Sequence, residues 1–251
     1  MLTPLMKYCE SLGQCEEGLR ASLEAYTTIV EPSMGFPRER ELESASLVAG
    51  AIDCHRACLV LERIAHVIEG SNICVLAPGH DISYLKSIGG CHVIVSTDSA
   101  YEGFAGVRPD VLVGDADQSL RLLHMDLGLG VPYLVHVHGD NVYRVTGLLR
   151  LIDRGDFVIT TQVETPYCSL PIGAFTDGDR AVVMAMVFSA RSVLMRDLEG
   201  RPLCVHKDYC DSNIKSKKLR LAMAVTRYVA GRLGYSVERE GGLLRLTRLD
   251  S

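Results

Sequence analysis

Aspartates recur in this sequence where short β-rich runs end. Asp98 follows HVIVST, Asp115 and Asp117 follow DVLVG, Asp140 and Asn141 follow YLVHVHG, Asp177 and Asp179 head an apolar helix-like run, and Asp197 closes SVLMR. If the run ends line up along one sheet edge, the carboxylates converge. Two like charges at about 4 Å repel by roughly 4 kcal/mol at an effective dielectric near 20. Mg²⁺ relieves that repulsion, because it prefers carboxylate, phosphate and water oxygens. Asp115 and Asp117 are two positions apart, so in an extended segment both point the same way, roughly 6–7 Å from each other. An ion held there would bridge phosphate oxygens and neutralise charge that develops during phosphoryl transfer. Asp98, Asp115 and Asp117 are therefore the metal candidates.

Each aspartate taken alone also has a structural reading. Thr176 with Asp179 fits a capping box before AVVMAMVF, and Asp140-Asn141 is ordinary turn chemistry. The turn Ala77-Pro78-Gly79-His80-Asp81 follows an apolar run and can offer backbone N–H groups to a phosphate, although it is neither a Walker A loop nor GxGxxG. His136 and His138 flank Val137 and face one way. No cysteine partner or HExxH accompanies them, so zinc is not the reading; His138 belongs beside Asp140, with His136 there or packed in the core. Lys215, Lys217 and Lys218 read as a solvated face from which one lysine, Lys218, reaches a triphosphate. Gly79, His138, Asn141, Thr176 and Lys218 form the candidate nucleotide-binding set.

The elements that must position these residues show in the texture of the chain. Residues 1–69 read as an N-terminal helical module, with EEGLRASLEAYTTIV (16–30) and the Ala-, Leu-, Glu- and Arg-rich region 39–68 separated by Phe36-Pro37. From Ser71 onward, apolar runs alternate with helical stretches: 73–77, 92–97, 110–115, 133–138, 156–161, 192–197 and 203–207. Helices are expected at 119–127, 142–153, 177–191 and 217–233, the last stopped by Gly234, and GGLLRLTRLD is expected as a last strand. Apolar runs without strict alternation suit strands covered on both faces. The fold class is α/β: a mostly parallel sheet flanked by helices over 70–251, in which ligands bind at the carboxyl ends of the strands.

Composition fits that frame. The chain has 251 residues, 47% hydrophobic and 23% charged, enough for a large core. A formal charge of -5 argues against nucleic acid as the main partner. The N-terminus acquires acids where a signal peptide needs an apolar stretch, and no apolar run approaches the roughly 20 residues that span a bilayer. The nine cysteines form no CxxC pair and read as buried free thiols in a reducing cytosol. A soluble cytoplasmic protein follows, with no membrane partner and with room for a homodimer.

The segments PDVLVGDADQS (109–119), VHVHGDN (135–141), GAFTDGDRA (173–181) and LMRDLEG (194–200) resemble the archaeal 6-hydroxymethyl-7,8-dihydropterin pyrophosphokinase family, itself similar to the thiamine pyrophosphokinase catalytic domain. The resemblance covers roughly 70–220, with a weaker similarity around Phe36–Val48. It implies a thiamine pyrophosphokinase-like α/β domain that uses Mg²⁺ and ATP as co-substrate. The implied reaction moves the β,γ-diphosphate to the hydroxymethyl oxygen of a dihydropterin and releases AMP. It matches Asp115 and Asp117 to the paired metal acids, Asp177 and Arg180 to the acid and the basic position of a shared TD-x-x-[KR]-A element, and Asp197 to the acid after the penultimate strand. Asp177 and Asp140 are the alternatives for the group that accepts the hydroxyl proton, and Phe175, Tyr143 or aliphatic side chains are the candidates for carrying the pterin ring. Two other readings stand beside it: the same chemistry on thiamine, and a non-catalytic nucleotide-binding module on this fold.

Overall fold

The structure is a computed structural model; it describes residues 4–9, 12, 14–35, 37–50, 52–77, 86, 90–97, 100, 108–116, 130–151, 156–197 and 211–249. The helices are α1 (Pro4–Cys9), α2 (Cys15–Ala25), α3 (Glu31–Met34), α4 (Arg38–Ala49), α5 (Cys54–Ile68), α6 (Val142–Leu151), α7 (Asp177–Val187) and α8 (Ser212–Arg232). The strands are β1 (Asn72–Leu76), β2 (Val93–Thr97), β3 (Val111–Gly114), β4 (Tyr133–His136), β5 (Phe157–Thr161), β6 (Leu170–Pro171), β7 (Ser192–Arg196), β8 (Tyr235–Glu240) and β9 (Leu243–Arg248).

They form one sheet in the order β6-β5-β4-β3-β2-β1-β7-β9-β8. The first seven in that order run parallel, and the β8–β9 hairpin adds antiparallel to β7. The chain steps from β1 outward to β6 and then returns to the far side of β1, which is the strand-order reversal typical of doubly wound α/β sheets.

The apolar strands have the predicted cause. Val111 and Val113 of β3 pack into a core with α2, α5, α7 and α8, whereas Leu112, between them, packs into a second core with Val48 and Ala49 of α4 and Val145 and Leu148 of α6. Both faces of the sheet are covered, so alternation in polarity disappears. The N-terminal helices share this core. Leu19, Tyr26, Leu61 and Ile64 lie in the same buried cluster as Val182 and Met186 of α7. The contact is close at Gly173, where a Cβ would fall 2.1 Å from the Ser22 carbonyl oxygen, and the Gly173 N–H donates to Ser22 Oγ at 3.0 Å.

Helix ends follow local chemistry. The region 39–68 divides into α4 and α5 because the Asp53 carboxylate accepts from the N–H groups of His55 and Arg56, starting a new helix. α8 begins at Ser212, earlier than expected, because Asp211 caps it in the same way. Between α2 and α3 the chain makes a π-helical turn, Tyr26–Val30, in which the hydroxyls of Thr27 and Thr28 bond back to the carbonyls of Leu23 and Glu24. The expected strand 203–207 and helix 119–127 lie outside the described residues.

The cysteines correct the sequence reading. Cys54 and Cys168 form a disulfide, as do Cys74 and Cys91, and Cys15 is also disulfide-bonded; Cys58 is a free thiol. Their Cα atoms stand 5.4 and 5.6 Å apart, within bridging reach, although 114 and 17 positions separate them in sequence. Pairing follows from which element ends the fold brings together, so the absence of a short Cys spacing carried no information. Among the described residues no single helix is long and apolar enough to cross a membrane.

Candidate active site at the strand ends

Asp115 follows β3, and His138-Gly139-Asp140-Asn141 follows its parallel neighbour β4. Asn141 joins the two ends. Its side chain is buried, its Nδ2 donates to the carbonyls of Asp115 at 2.7 Å and His136 at 2.8 Å, and its Oδ1 accepts from the His138 N–H at 2.9 Å. Both amide hydrogens are thereby used within the protein. The loop they lock places His138 Nε2 3.6 Å from Asp115 Oδ2. The His138 Nδ1 accepts from the Asp140 N–H at 3.3 Å, so in the neutral ring the proton sits on Nε2, facing Asp115.

The third wall is the start of α7, which packs against β1, β2 and β3. Thr176 and Asp179 form the expected capping box: Asp179 is fully buried and accepts from the N–H groups of Phe175 at 2.8 Å and Thr176 at 2.6 Å, and from the Thr176 hydroxyl at 2.6 Å. Burial nevertheless raises the Asp179 carboxyl above its ordinary pKa, against the opposing pull of those hydrogen bonds and of Arg180. One turn on, the Arg180 Nη1 donates to Asp177 Oδ1 at 2.8 Å; the arginine is only 2% exposed, an unusual place for a guanidinium unless it has work there. Lys218 of α8 places its Nζ 5.5 Å from the centre of the Phe175 ring, beside the same helix start.

His136 is buried with Nδ1 3.2 Å from Thr160 Oγ1. Burial, then the charges of Arg180 and His138, hold it well below the ordinary histidine pKa, so it is neutral. Asp140 turns the other way. Its side chain is 74% exposed and pairs with Arg40 of α4 at 2.9 Å. Asp197, after β7, is held by Arg239 of the β8–β9 hairpin. Lys217 donates to the Ser33 carbonyl at 2.6 Å. Tyr143 is exposed at 70%, whereas Phe175 is buried.

Of the residues singled out by sequence, the fold thus gathers Asp115, His138 and Asn141 at two adjacent strand ends and Thr176, Asp177 and Arg180 at one helix start. Asp98, Asp117 and Gly79 lie outside the described residues. Among the described residues no group of three or more His, Cys, Asp or Glu surrounds a metal position.

Sequence reasoning missed the contribution of the N-terminal helices. Glu41 of α4 is 8% exposed, and its Oε1 accepts from the Gly139 N–H at 3.3 Å. Burial raises its pKa above the ordinary glutamate value, more than the Gly139 hydrogen bond and the nearby His138 and Arg180 charges lower it. Tyr26, in the π-helical turn, is buried too, and its phenol is pushed above its ordinary pKa, first by burial and then by Glu41. Nothing distinguishes Glu41 from its neighbours Glu39 and Glu43 in a charged helix; the weak resemblance over Phe36–Val48 was the one signal.

No protein-family model matches the chain. Three curated relatives do, all named 6-hydroxymethyl-7,8-dihydropterin pyrophosphokinase. The protein from Methanocaldococcus jannaschii is 24% identical over 228 residues, 83% of this chain and 94% of its own length. That from Methanothermobacter thermautotrophicus is 29% identical over 183 residues, 70% of this chain and 76% of its own. That from Pyrococcus furiosus is 26% identical over 175 residues, 68% and 73% respectively. Over most of its length, then, this chain is a homologue of the archaeal proteins of that name, the family that its strand-end motifs resemble.

Proposed function

We propose that this protein transfers the β,γ-diphosphate of ATP to the hydroxymethyl oxygen of 6-hydroxymethyl-7,8-dihydropterin, releasing AMP, in a Mg²⁺-dependent reaction of folate- or tetrahydromethanopterin-type pterin biosynthesis. The similarity to three relatives named for this activity carries the reading. The convergence of Asp115 and His138 at adjacent strand ends supports it, because that edge is where α/β sheets bind ligands.

Asp115, with Asp117 of the same motif and Asp98 of STDSA, suits a hard cation: all three offer carboxylate oxygens, and Asp115 stands partly exposed at its strand end. Mg²⁺ held by them would supply charge neutralisation of the phosphate oxygens. The chain's own residues do the positioning. Asn141 fixes the β3 and β4 ends relative to each other, and His138 presents an N–H beside Asp115. The start of α7 offers N–H groups and Lys218 a cation to the nucleotide, with Gly79 of the APGHD turn as a further contact. Asp177, oriented by Arg180, is the better candidate to accept the substrate hydroxyl proton, since Asp140 is exposed and engaged by Arg40. Catalysis then rests on alignment and charge stabilisation.

The reaction would run in the cytoplasm, where ATP is available. Disulfides persist inside the cells of hyperthermophilic archaea, so the bonds found here are compatible with that compartment.

Incubation with ATP, Mg²⁺ and the dihydropterin, followed by chromatography, tests the proposal. AMP and a diphosphorylated pterin are expected. ADP in place of AMP would reject diphosphate transfer, and AMP formed with thiamine but not with the pterin would move the chain to thiamine pyrophosphokinase chemistry. Nucleotide binding with no product from either substrate would make it a non-catalytic module.

A further inference from the structure

Four buried side chains around this site each have one polar atom with no hydrogen-bond partner among the described residues: Tyr26 Oη, Glu41 Oε2, His136 Nε2 and Arg180 Nε. Among the described residues only Gln14 Oε1 and Thr226 Oγ1 share that condition. Glu41 is tied to the His138–Asn141 loop by the Gly139 N–H at 3.3 Å, and Arg180 is the group whose charge reaches the other three. Glu41 also acts on Tyr26. A single buried group without a partner can be tolerated as local strain. Four that share one neighbourhood, each at least nine-tenths buried, call for polar partners that the described residues do not supply.

The chemistry of these atoms limits what those partners are. Glu41 offers an acceptor at Oε2; its other oxygen already accepts from the Gly139 N–H. Arg180 Nε offers a donor, and Tyr26 Oη either role. A carboxylate acceptor matches two adjacent N–H donors on a planar ring. The 2-amino group and neighbouring N3–H of a pterin form such a pair. The aminopyrimidine of thiamine does not, since a ring nitrogen lone pair adjoins its amino group and would face the carboxylate.

We propose that Glu41, carried into the site by the N-terminal helices, is the residue that recognises the amino-pyrimidinone edge of the substrate, accepting hydrogen bonds from its 2-amino group and ring N–H. The proposal deepens the dihydropterin reading and rests on it. It assigns the N-terminal helices a role in substrate choice, while the strand ends hold the phosphates. It also gives a reason for discrimination against thiamine: a buried edge left unpaired weakens binding by about tenfold or more per group.

The test compares the intact protein with Glu41→Gln, which keeps the shape and the acceptor for Gly139 but turns a donor toward the ligand's N–H groups. Binding is measured by calorimetry for three probes: 6-hydroxymethyl-7,8-dihydropterin, its 2-deamino analogue and a non-hydrolysable ATP analogue. The intact protein is expected to prefer the dihydropterin over the deamino analogue by about 100-fold. The Glu41→Gln protein should lose about 100-fold for the dihydropterin, keep its ATP-analogue affinity, and bind the two pterins within a few-fold of each other. Undiminished dihydropterin affinity, or undiminished preference for it, in the Glu41→Gln protein would overturn the proposal. Equal loss for the ATP analogue would do so as well, by making Glu41 a structural residue. Dihydropterin bound with this Glu41 dependence but never converted would uphold the recognition and overturn the reaction. An intact protein that binds no pterin overturns both.

Discussion

His138 Nε2 and Asp115 Oδ2 stand 3.6 Å apart across the ends of two adjacent parallel strands. Asn141 grips the Asp115 main-chain carbonyl, a contact that Asp115→Asn leaves in place. Asp115→Asn should therefore leave the denaturation midpoint close to that of the unmodified protein while lowering kcat by at least about 100-fold, the range seen when one electrostatic contact to a transition state is removed. Activity of the unmodified protein should vanish in EDTA and return with Mg²⁺ or Mn²⁺. Full turnover in chelator would remove Asp115 from the metal set.

Asp177 and Asp140 answer differently to substitution if the base is assigned correctly. Asp177→Asn keeps a hydrogen bond to Arg180 but cannot take a proton, so kcat should fall by about 10²–10⁴-fold. Asp140→Asn weakens an exposed pair with Arg40, which is worth at most about 1 kcal/mol, and should leave kcat within a few-fold. Steady-state kinetics on the two variants decide; the reverse order would make Asp140 the base.

Stability should depend on His136 in mild acid. Its folded-state pKa lies well below the ordinary value of 6.5, because burial and the Arg180 charge disfavour the imidazolium. Below about pH 6.5 the unfolded chain therefore binds a proton that the folded chain refuses. The His136 contribution is complete above that pH and is lost as pH falls through this window, with a limiting slope of about 1.4 kcal/mol per pH unit. Glu41 and Asp179 have raised folded-state pKa values and act with the opposite sign: their contribution is present in acid and lost as pH rises. Urea titrations at pH 7 and pH 5.5 on the intact protein and on His136→Asn isolate the histidine. The variant should lose less stability between the two pH values than the intact protein; an equal loss would count against a neutral His136.

The Cys54–Cys168 disulfide joins the start of α5 to the segment ahead of β6 and closes a loop across 114 positions. Loop-closure entropy for a span of that size gives a stabilisation of about 4–5 kcal/mol. Cys54→Ser and Cys168→Ser should each lower the midpoint of chemical denaturation, and the double variant should be no less stable than either single one. Thiol titration of the unreduced, denatured protein should find fewer than its nine cysteines free. Nine titratable thiols would show the bonds absent.

Much of the sheet was legible in the sequence, because a buried parallel strand needs an apolar run and little else. Runs at 73–77, 92–97, 110–115, 133–138, 156–161 and 192–197 became β1 to β5 and β7, and the tail became β9. β6 escaped notice since two residues carry no periodicity, and β8 did so because YSVERE is half exposed and polar. The Thr176–Asp179 cap was equally readable, its partners being three residues apart. What sequence could not supply were relationships between elements far apart in the chain. The Cys54–Cys168 bond, the withdrawal of Asp140 toward Arg40, and the arrival of Glu41 beside Gly139 each depend on how α4 and α5 pack against the sheet. A side chain's type fixes the chemistry it can perform. Its partner is fixed by whichever surface the buried apolar faces bring against it, and packing against a shared core is a property of the folded chain.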